Sequence, residues 1–320
     1  MIATSGLTKR FGPIAAVSDL SLTVAKGEVL GFLGPNGAGK STTMKMITGY
    51  LAPDHGSVNI LGHDVETDGI AARQKMGYLP EGAPAYGDMT ARQFLKFIAE
   101  VRGFHGGAAN LKIDEAVAKT ELAPVLDQTI ETLSKGFKRR VGLAQAILHD
   151  PPVLIMDEPT DGLDPNQKHA VRNLIRAMAP QKAIIVSTHL LEEVEAICTR
   201  AVIIDKGRIV ADGTPQDLLA RSRYHNAVTL VLPPAQTEDV VAKLRALPQV
   251  ASIEQANRAD TSVEITAFPR KGAMLIEEIG ALAVRETWDV KELYAEAGRL
   301  DDVFRSLTTH DAARARSAAT

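Results

Sequence analysis

Apolar residues in the first part of the chain occur in short alternations and runs that predict strands. Alternation over Leu20–Val24, the turn Ala25–Glu28 and the apolar run Val29–Leu33 together indicate a hairpin. A helix is then expected to end near Gly49, and the stretch Gly56–Gly62 is typical of a strand bounded by glycines. The chain is therefore expected to begin as a β-rich unit.

Helical spacing replaces strand patterning in the middle of the chain. Apolar side chains recur at three- and four-residue intervals in Phe94–Val101 and Val141–Leu148, which predicts a helical insert over about 88–150. Short apolar runs then alternate with helical stretches that begin near Asn166 and Leu190. The runs are Val153–Met156, Ala183–Ser187 and Ala201–Asp205. This alternation predicts an α/β core with a parallel sheet and crossover helices.

The C-terminal part has a different order of elements. Its pattern predicts strand, helix, strand, strand, helix and strand, which is the ferredoxin-like order, and then a closing helix. The predicted elements are 228–232, 237–247, 250–254, 262–268, 271–282, 283–288 and 300–307. Its expected core residues are Val240, Val241, Leu244 and Trp288.

A change in character near Ser222–Asn226 marks the predicted domain boundary. We expect a larger α/β domain over 1–221 and a smaller α+β domain over 227–308. The segment 309–320 is rich in Ala and Arg without an apolar face, so we expect a flexible tail there.

The composition is that of an ordinary globular protein. Of 320 residues, 45% are hydrophobic and 23% are charged, which allows sizeable cores for two domains. The formal net charge of −3 indicates no basic face, so no nucleic-acid partner is expected. The single cysteine, Cys198, is expected to be a small core residue in a reducing cytoplasm. No apolar run approaches the ~18 residues that span a bilayer, so any membrane connection is expected through a partner.

Candidate chemistry lies between the run Val29–Leu33 and the helix that follows. The intervening segment fills every fixed position of a phosphate-binding P-loop. It consists of Gly34, Pro35, Asn36, Gly37, Ala38, Gly39, Lys40 and Ser41, with Thr42 at the start of the helix. Glycines let backbone N–H groups approach phosphate oxygens, and the helix start adds the positive end of its dipole. The alternative, a glycine-rich turn with a chance lysine, is disfavoured because a strand and a helix flank the segment.

Two P-loop side chains have specific expected roles. Lys40 is expected to reach the β- and γ-phosphates of a nucleotide. Ser41 is expected to supply a hydroxyl oxygen for Mg²⁺, which prefers oxygen ligands together with water and phosphate.

Two adjacent acids follow the apolar run Val153–Met156. Asp157 is placed to hold Mg²⁺ through water, and Glu158 to polarise the water that attacks the γ-phosphate. An apolar run followed by an acid is common by itself, but the P-loop upstream favours a hydrolytic site. Together these motifs predict a nucleoside-triphosphate-hydrolysing enzyme that uses Mg²⁺.

Three further segments make the chain resemble the ATP-binding subunits of ABC transporters. They are Leu133–Arg140, Pro159–Asp164 and Ser187–His189, and with the P-loop and the paired acids they extend the resemblance over roughly 1–220. The ordered set is specific, whereas any one of the short motifs would be weak. The resemblance implies a P-loop ATPase core with a parallel sheet, an antiparallel β subdomain and a helical subdomain, and ATP with Mg²⁺ as ligands.

The segment Leu133–Arg140 corresponds to the signature loop of this family, whose usual form is Leu-Ser-Gly-Gly-Gln. Lys135 and Phe137 depart from that form. Ser134 and Gly136 remain, and the resemblance implies that they contact the γ-phosphate of the nucleotide held by the opposing subunit. It therefore implies a head-to-tail homodimer that encloses two ATP molecules and separates after hydrolysis.

The resemblance also assigns roles to four residues outside the P-loop and the signature loop. His189 corresponds to the switch histidine, which contacts the γ-phosphate and helps Glu158 to hold the water. Phe11 occupies the position of the aromatic side chain that stacks on adenine. Glu81 stands where most members carry glutamine, and its carboxylate can still face Mg²⁺ and water. Asp164 ends a loop that touches the neighbouring subunit in this family.

The segments Gly77–Glu81 and Leu133–Gly136, with the appended C-terminal domain, are similar to the branch that serves ABC-2-type export permeases. We therefore expect an export ATPase that is cytoplasmic and bound to the inner face of the cell membrane through a separate permease. A role in an import system is less favoured than a role in export. The transported molecule is not readable from this chain, because cargo contacts belong to the membrane subunit.

Two other interpretations are kept open. A soluble ABC-type ATPase acting on ribosomes or DNA is the alternative function, although such proteins tend to carry two P-loops, basic linkers or long coiled coils. The C-terminal domain is expected to be a packing or dimer-stabilising module, with regulation by a small ligand as the competing interpretation.

Overall fold

The computed structural model describes residues 1–82, 86–259, 262–270 and 272–308. The chain divides into two compact units, Met1–Pro215 and Gln216–Thr320. The predicted flexible tail at 309–320 lies outside the described residues.

The bounds of the strands and helices are as follows. The strands are β1 (Ile2–Phe11), β2 (Ile14–Val24), β3 (Val29–Leu33), β4 (His55–Ile60), β5 (His63–Asp64), β6 (Met76–Leu79), β7 (Val153–Asp157), β8 (Ala183–Thr188), β9 (Arg200–Asp205), β10 (Arg208–Gly213), β11 (Val228–Leu232), β12 (Val250–Ala259), β13 (Ser262–Pro269) and β14 (Glu292–Ala295). The α-helices are α1 (Lys40–Ile47), α2 (Gly69–Gln74), α3 (Ala91–Val101), α4 (Gly106–Thr120), α5 (Lys135–Ile147), α6 (Pro165–Met178), α7 (Leu191–Ile197), α8 (Pro215–Leu219), α9 (Thr237–Ala246), α10 (Ile276–Arg285) and α11 (Leu300–Thr308).

Two sheets and the helix α1 form the core of the first unit. The larger sheet has the strand order β10-β9-β3-β8-β7-β6, and its strands run parallel except for β10. The smaller sheet, β2-β1-β4-β5, is antiparallel. Phe32, Met44 and Ile47 are fully buried in one cluster with side chains of both sheets. This packing fixes α1, and the loop that precedes it, at the carboxyl end of the central strand β3.

The hairpin predicted over Leu20–Leu33 is wrong. β2 pairs with β1, with Ile2 opposite Val24, whereas β3 lies between β8 and β9 in the other sheet. The turn Ala25–Glu28 therefore carries the chain from one sheet to the other. Alternation identifies a strand but does not identify its partner, because distant segments decide the pairing. The short or polar strands β1, β6 and β10 are not predicted by the pattern at all.

Three helices occupy the predicted helical insert. Thr90 and Gln93 form a reciprocal capping box at the start of α3, which satisfies N–H groups that have no partner within the helix. α5 packs against β6 where Gly77 has no side chain, so that the strand approaches the backbone of Ala146 closely. Among the described helices, none combines the length and apolar character needed to cross a bilayer.

The second unit has the predicted ferredoxin-like topology. Its antiparallel sheet has the order β12-β13-β11-β14, with α9 and α10 in the two crossover positions. The expected core residues are buried in one cluster: Val240, Val241, Leu244 and Trp288.

The strand predicted at 283–288 is wrong, and so is the helix start at Lys271. α10 begins at Ile276 and ends at Arg285, and the last strand is Glu292–Ala295. Thr287 has a left-handed conformation with φ 52°, and the N–H of Trp288 donates to the carbonyl of Ala283 at 3.0 Å, which terminates the helix. The apolar residues at the end of α10 are too few for periodicity to separate helix from strand.

The close contact of α5 with β6 predicts a sharp effect of side-chain volume at Gly77. A Cβ at this position collides with the carbonyl oxygen of Ala146, so Gly77→Ala should destabilise the protein by about 1–3 kcal/mol. The control is Gly107→Ala in α4, where no atom lies within 4 Å of the added Cβ. Thermal unfolding should show a lowered midpoint for Gly77→Ala only. An unchanged midpoint would contradict the close packing.

Candidate functional site

The loop between β3 and α1 needs glycine at two positions for steric reasons. A Cβ at Gly34 would lie 2.6 Å from the carbonyl oxygen of Ile204 on β9. Gly39 has φ 106°, and a Cβ there would collide with the carbonyl of Ala16. Because β3 is buried between two neighbours, the loop packs directly against the sheet and only glycine fits. The loop backbone is thereby held in one conformation.

The start of α1 leaves backbone donors available to an anion. Gly39 occupies the N-cap position and has no side chain to accept from the first N–H groups. Unpaired N–H groups and the positive end of the helix dipole at this point favour a phosphate. An open cleft surrounds the helix start, and it is lined by Ala16, Asn36, Gly37, Gly39, Lys40, Ser41, Thr42, Glu81 and Glu158. The predicted P-loop side chains and two predicted acids therefore share one cleft.

Lys40 is the cation of this cleft. Its Nζ donates to the carbonyl oxygens of Gly34 at 2.6 Å and Pro35 at 3.2 Å. Burial lowers the pKa of Lys40, and the carboxylates of Glu158 and Asp157 act in the opposite direction. The ammonium group is thus held against the loop that is predicted to wrap the phosphates.

Asp157 and Glu158 stand where β7 ends. Asp157 is buried, and its Oδ1 accepts a hydrogen bond from the Ser187 hydroxyl on β8. Glu158 has φ 52°, unusual for a residue with a side chain, and its N–H donates to the carbonyl of Ser187 at 3.0 Å. The two adjacent acids consequently point in different directions, one into the sheet end and one into the cleft.

His189 contacts Glu158 directly. Its Nδ1 lies 2.7 Å from Oε2 of Glu158, and half of the histidine side chain is exposed. Glu158 is thereby oriented by a partner that is itself half exposed. The structure brings together the two residues predicted to act on the attacking water.

The oxygen donors near the cleft fit Mg²⁺. Ser41 and Glu81 line the cleft, and Asp157 ends the adjacent buried strand. Mg²⁺ binds through a few protein oxygens and takes its other ligands from water and substrate phosphates. The three predicted metal residues therefore supply a suitable donor chemistry.

Ser134, Gly136 and Asp164 belong to a second cluster, apart from the residues that line the cleft. Ser134 caps α5 by accepting from the N–H of Phe137 at 3.3 Å, and Asp164 caps α6 by accepting from Gln167 at 2.9 Å. Gly136 packs against the Gln167 side chain, where an added Cβ would lie 2.6 Å from Oε1. The signature loop and the Asp164 loop are thus neighbours in one chain.

Phe11 is exposed, whereas Cys198 is buried. Phe11 is 51% exposed at the end of β1, as an aromatic platform needs to be. Cys198 is buried, and burial raises the pKa of its thiol to about 12, which leaves it unreactive.

Sequence reasoning misses two residues that hold the acids in place. Ser187 binds Asp157 from the next strand, and Arg139 of α5 donates to the carbonyl oxygens of both Asp157 and Glu158. The available signal for Arg139 is its position beside the buried residues Gly136 and Leu143 on one face of α5. A cation on a buried helix face requires partners within the fold.

Comparisons with known proteins show what this chain is similar to. Residues 17–161 match the ABC transporter family. The chain is 39% identical over 223 residues to the probable multidrug ABC transporter ATP-binding protein YbhF of Escherichia coli, covering 69% of this chain and 38% of that protein. It is 31% identical over 309 residues to the linearmycin resistance ATP-binding protein LnrL of Bacillus subtilis, covering 96% of this chain and 98% of that protein.

A solved structure of the ATP-binding subunit of an ABC transporter is also similar. It aligns with a TM-score of 0.64 at 30% identity over 68% of this chain and 91% of that chain. The match to the Bacillus subtilis protein extends over both units of the fold, whereas this chain spans well under half of the Escherichia coli protein.

The contacts of Lys40 predict a specific loss in nucleotide binding. Lys40→Ala removes a charge-assisted donor to phosphate, so ATP binding should weaken by about 1.5–3 kcal/mol, roughly 10- to 100-fold in Kd. The control is Lys45→Ala, an exposed lysine on the same helix, which should keep the wild-type Kd. Titration of a fluorescent ATP analogue measures both. Equal affinities of Lys40→Ala and wild type would refute the assignment of the P-loop lysine.

Proposed function

The chain belongs to the family of ABC transporter ATP-binding proteins, and we propose that it is the ATPase of an export system and works as a head-to-tail homodimer. ATP hydrolysis is the activity of this family. One observation carries the proposal beyond that: within one chain, the phosphate cleft is lined by residues other than those of the signature cluster. Two copies arranged head to tail place the cluster of each against the cleft of the other.

In this arrangement the P-loop of one copy binds the triphosphate. Lys40 leaves its loop carbonyls for the β- and γ-phosphates, and N–H groups at the start of α1 donate to the same oxygens. Ser41, Asp157 and Glu81 would hold Mg²⁺, which would neutralise phosphate charge when bound. The fixed backbone of the loop means that little reorganisation opposes binding.

The second copy completes the site through the start of α5. Ser134 is exposed and offers its hydroxyl, and Gly136 lies in the first turn of the 13-residue helix. The positive end of that helix dipole then faces the γ-phosphate from the side opposite to the P-loop. Phosphate charge therefore attracts the two copies to one another, and loss of the γ-phosphate weakens the attraction.

Hydrolysis is assigned to Glu158 with His189. The Glu158 carboxylate accepts a proton from the attacking water, and His189 keeps that carboxylate oriented through the 2.7 Å contact. Glu158 lines the cleft proposed to hold the γ-phosphate, and His189 contacts it there. The reaction produces ADP and inorganic phosphate, after which the two copies separate.

The names of the relatives support an export role, and we propose that the permease is separate, of the ABC-2 type, and docks on the surface beside β6. The Escherichia coli relative is named for a multidrug transporter and the Bacillus subtilis relative for linearmycin resistance, and outward transport would account for both names. A groove beside β6 is lined by Tyr78, Pro80, Tyr86, Phe94, Phe97, Ile98, Arg102 and Gln145. Because β6 leads to Glu81 in the nucleotide cleft, a permease segment seated there could move Glu81. The chain would then be cytoplasmic and peripheral to the membrane.

The C-terminal unit is proposed to support packing or dimerisation. Its buried residues form an ordinary apolar core around one sheet face. The Bacillus subtilis relative aligns across this unit as well, so the unit accompanies the ATPase in at least one relative of the same length.

Replacing the proposed catalytic acid tests the mechanism. Glu158→Gln keeps hydrogen bonding but cannot accept the proton, so turnover should fall by about 100-fold or more while ATP binding persists. The ATP-bound dimer should then accumulate, as measured by size-exclusion chromatography with light scattering. The control is Glu192→Gln on α7, an acid that pairs with Arg172 at 2.7 Å. Near-normal turnover of Glu158→Gln would remove Glu158 from this role.

The partner is tested by changing the groove. Phe97→Glu places a charge in the apolar groove, so the full-length chain should lose its association with an integral membrane protein yet retain ATPase activity after purification. The control is Ile70→Glu, a highly exposed apolar residue of α2. Crosslinking and mass spectrometry of membranes should find two copies of the wild-type chain per complex. Recovery with ribosomes, or a complex with one copy and no second P-loop subunit, would contradict the proposal.

A further inference from the structure

Arg139 connects the signature helix to the backbone of Asp157 and Glu158 and to that of the two residues that flank Glu81. The side chain is 5% exposed on α5, five residues after Ser134. Its Nη1 donates to the carbonyl oxygens of Pro80 at 2.7 Å and Gly82 at 2.5 Å, on either side of Glu81. Its Nη2 donates to the carbonyls of Asp157 and Glu158.

A buried guanidinium in such a position has to be held by strong partners. Burial lowers the pKa of Arg139, whereas the carboxylates of Asp157, Asp161, Glu158 and Glu81 act in the opposite direction. Its planar array of donors suits several carbonyl oxygens at once, which a lysine ammonium cannot match in geometry. The side chain therefore fixes two loops relative to one another and to α5.

The backbone conformation of Glu158 needs support from its surroundings. Its φ of 52° is a conformation that side-chain-bearing residues keep only when the surroundings enforce it. The N–H of Glu158 is held by Ser187 of β8, and its carbonyl by Arg139 of α5. Both peptide groups that flank this residue are thus restrained, and the carboxylate is directed at His189.

We propose that Arg139 is a positioning residue that couples the signature loop to hydrolysis in its own chain. A contact at Ser134 shifts the start of α5, and the helix carries that shift to Arg139 as a rigid element. Arg139 then adjusts the carbonyls of Glu158 and of the turn around Glu81. In this way, the phosphate bound by the partner copy controls Glu158, which acts in the hydrolysis of ATP in the first copy. This inference rests on the proposed function, in which Glu158 acts on the attacking water.

A control arginine lies on α6 and lines neither the cleft nor the groove beside β6. Arg176 donates from Nε at 3.1 Å and from Nη2 at 2.7 Å to the carbonyl oxygen of Ala196 on α7. Arg176→Gln therefore removes arginine-to-carbonyl bonds in the same unit without releasing Glu158.

The experiment measures kcat, the Kd for ATP and the thermal midpoint of full-length variants. Arg139→Gln should lower kcat by about 100-fold with a Kd within about twofold of wild type, because a misplaced carboxylate slows chemistry and not binding. Arg139→Lys should recover part of kcat, since an ammonium can still reach one pair of carbonyls. Arg176→Gln should leave kcat within about twofold of wild type.

The decisive readout is a double-mutant cycle with Glu158→Gln. If Arg139 acts through Glu158, Arg139→Gln should reduce the residual kcat of the Glu158→Gln chain by no more than about twofold. An equal loss in both backgrounds, or a normal kcat for Arg139→Gln, would overturn the inference. If Arg139→Gln does not fold, Arg139→Lys carries the same comparison. A normal kcat for Glu158→Gln would overturn the proposed function, whereas a slow Glu158→Gln with a normal Arg139→Gln would overturn this inference alone.

Discussion

The nucleotide cleft depends on one buried lysine that faces several carboxylates. Lys40 lies within the influence of Glu158, Asp157 and Glu81, and its own pKa is lowered by burial. These three carboxylates repel one another, so rigid backbone and fixed hydrogen-bond donors have to hold them in place. The packed loop at Gly34 and Gly39, the Ser187 hydroxyl and the Arg139 guanidinium provide that rigidity. The site is therefore prearranged by the ends of parallel strands and one buried helix face.

Rigid packing also bears on the proposal that one chain supplies only half of each nucleotide site. α5 and α6 begin next to each other, and Gly136 packs on Gln167 of α6. These contacts hold the signature loop within its own cluster, so it is available to a nucleotide that approaches from another molecule. Lys135, which replaces the glycine usual in the family, forms an ion pair with Asp161 at 2.8 Å. The altered loop is thereby fastened to the loop that ends at Asp164, and the exposed edge of Ser134 stays open.

Local motifs and distant contacts differ in how far sequence reveals them. The P-loop, the adjacent acids Asp157 and Glu158, and the order of elements in the C-terminal unit depend on neighbours along the chain, so pattern and spacing identify them. The partner of β2 and the role of Arg139 depend on residues far away in sequence. The end of α10 is local, but its apolar residues are too few for the pattern to separate helix from strand. The buried position of Arg139 on its helix indicates that it has partners, but not that they are four carbonyl oxygens from two other segments. The roles proposed for Ser134, Gly136 and Asp164 rest on family resemblance alone, because the contacts proposed for them lie in a second copy of the chain.

The central claim is that each ATP is held between two copies of this chain, and mixing two inactive variants tests it most directly. Lys40→Ala disables the P-loop, and Ser134→Arg blocks the signature loop, so each pure variant should lack hydrolysis. A mixed dimer contains one site with an intact P-loop from one chain and an intact signature loop from the other. The account predicts that mixing the two purified proteins restores ATPase activity. Mixtures that stay as inactive as the separate variants, although heterodimers form, would contradict it.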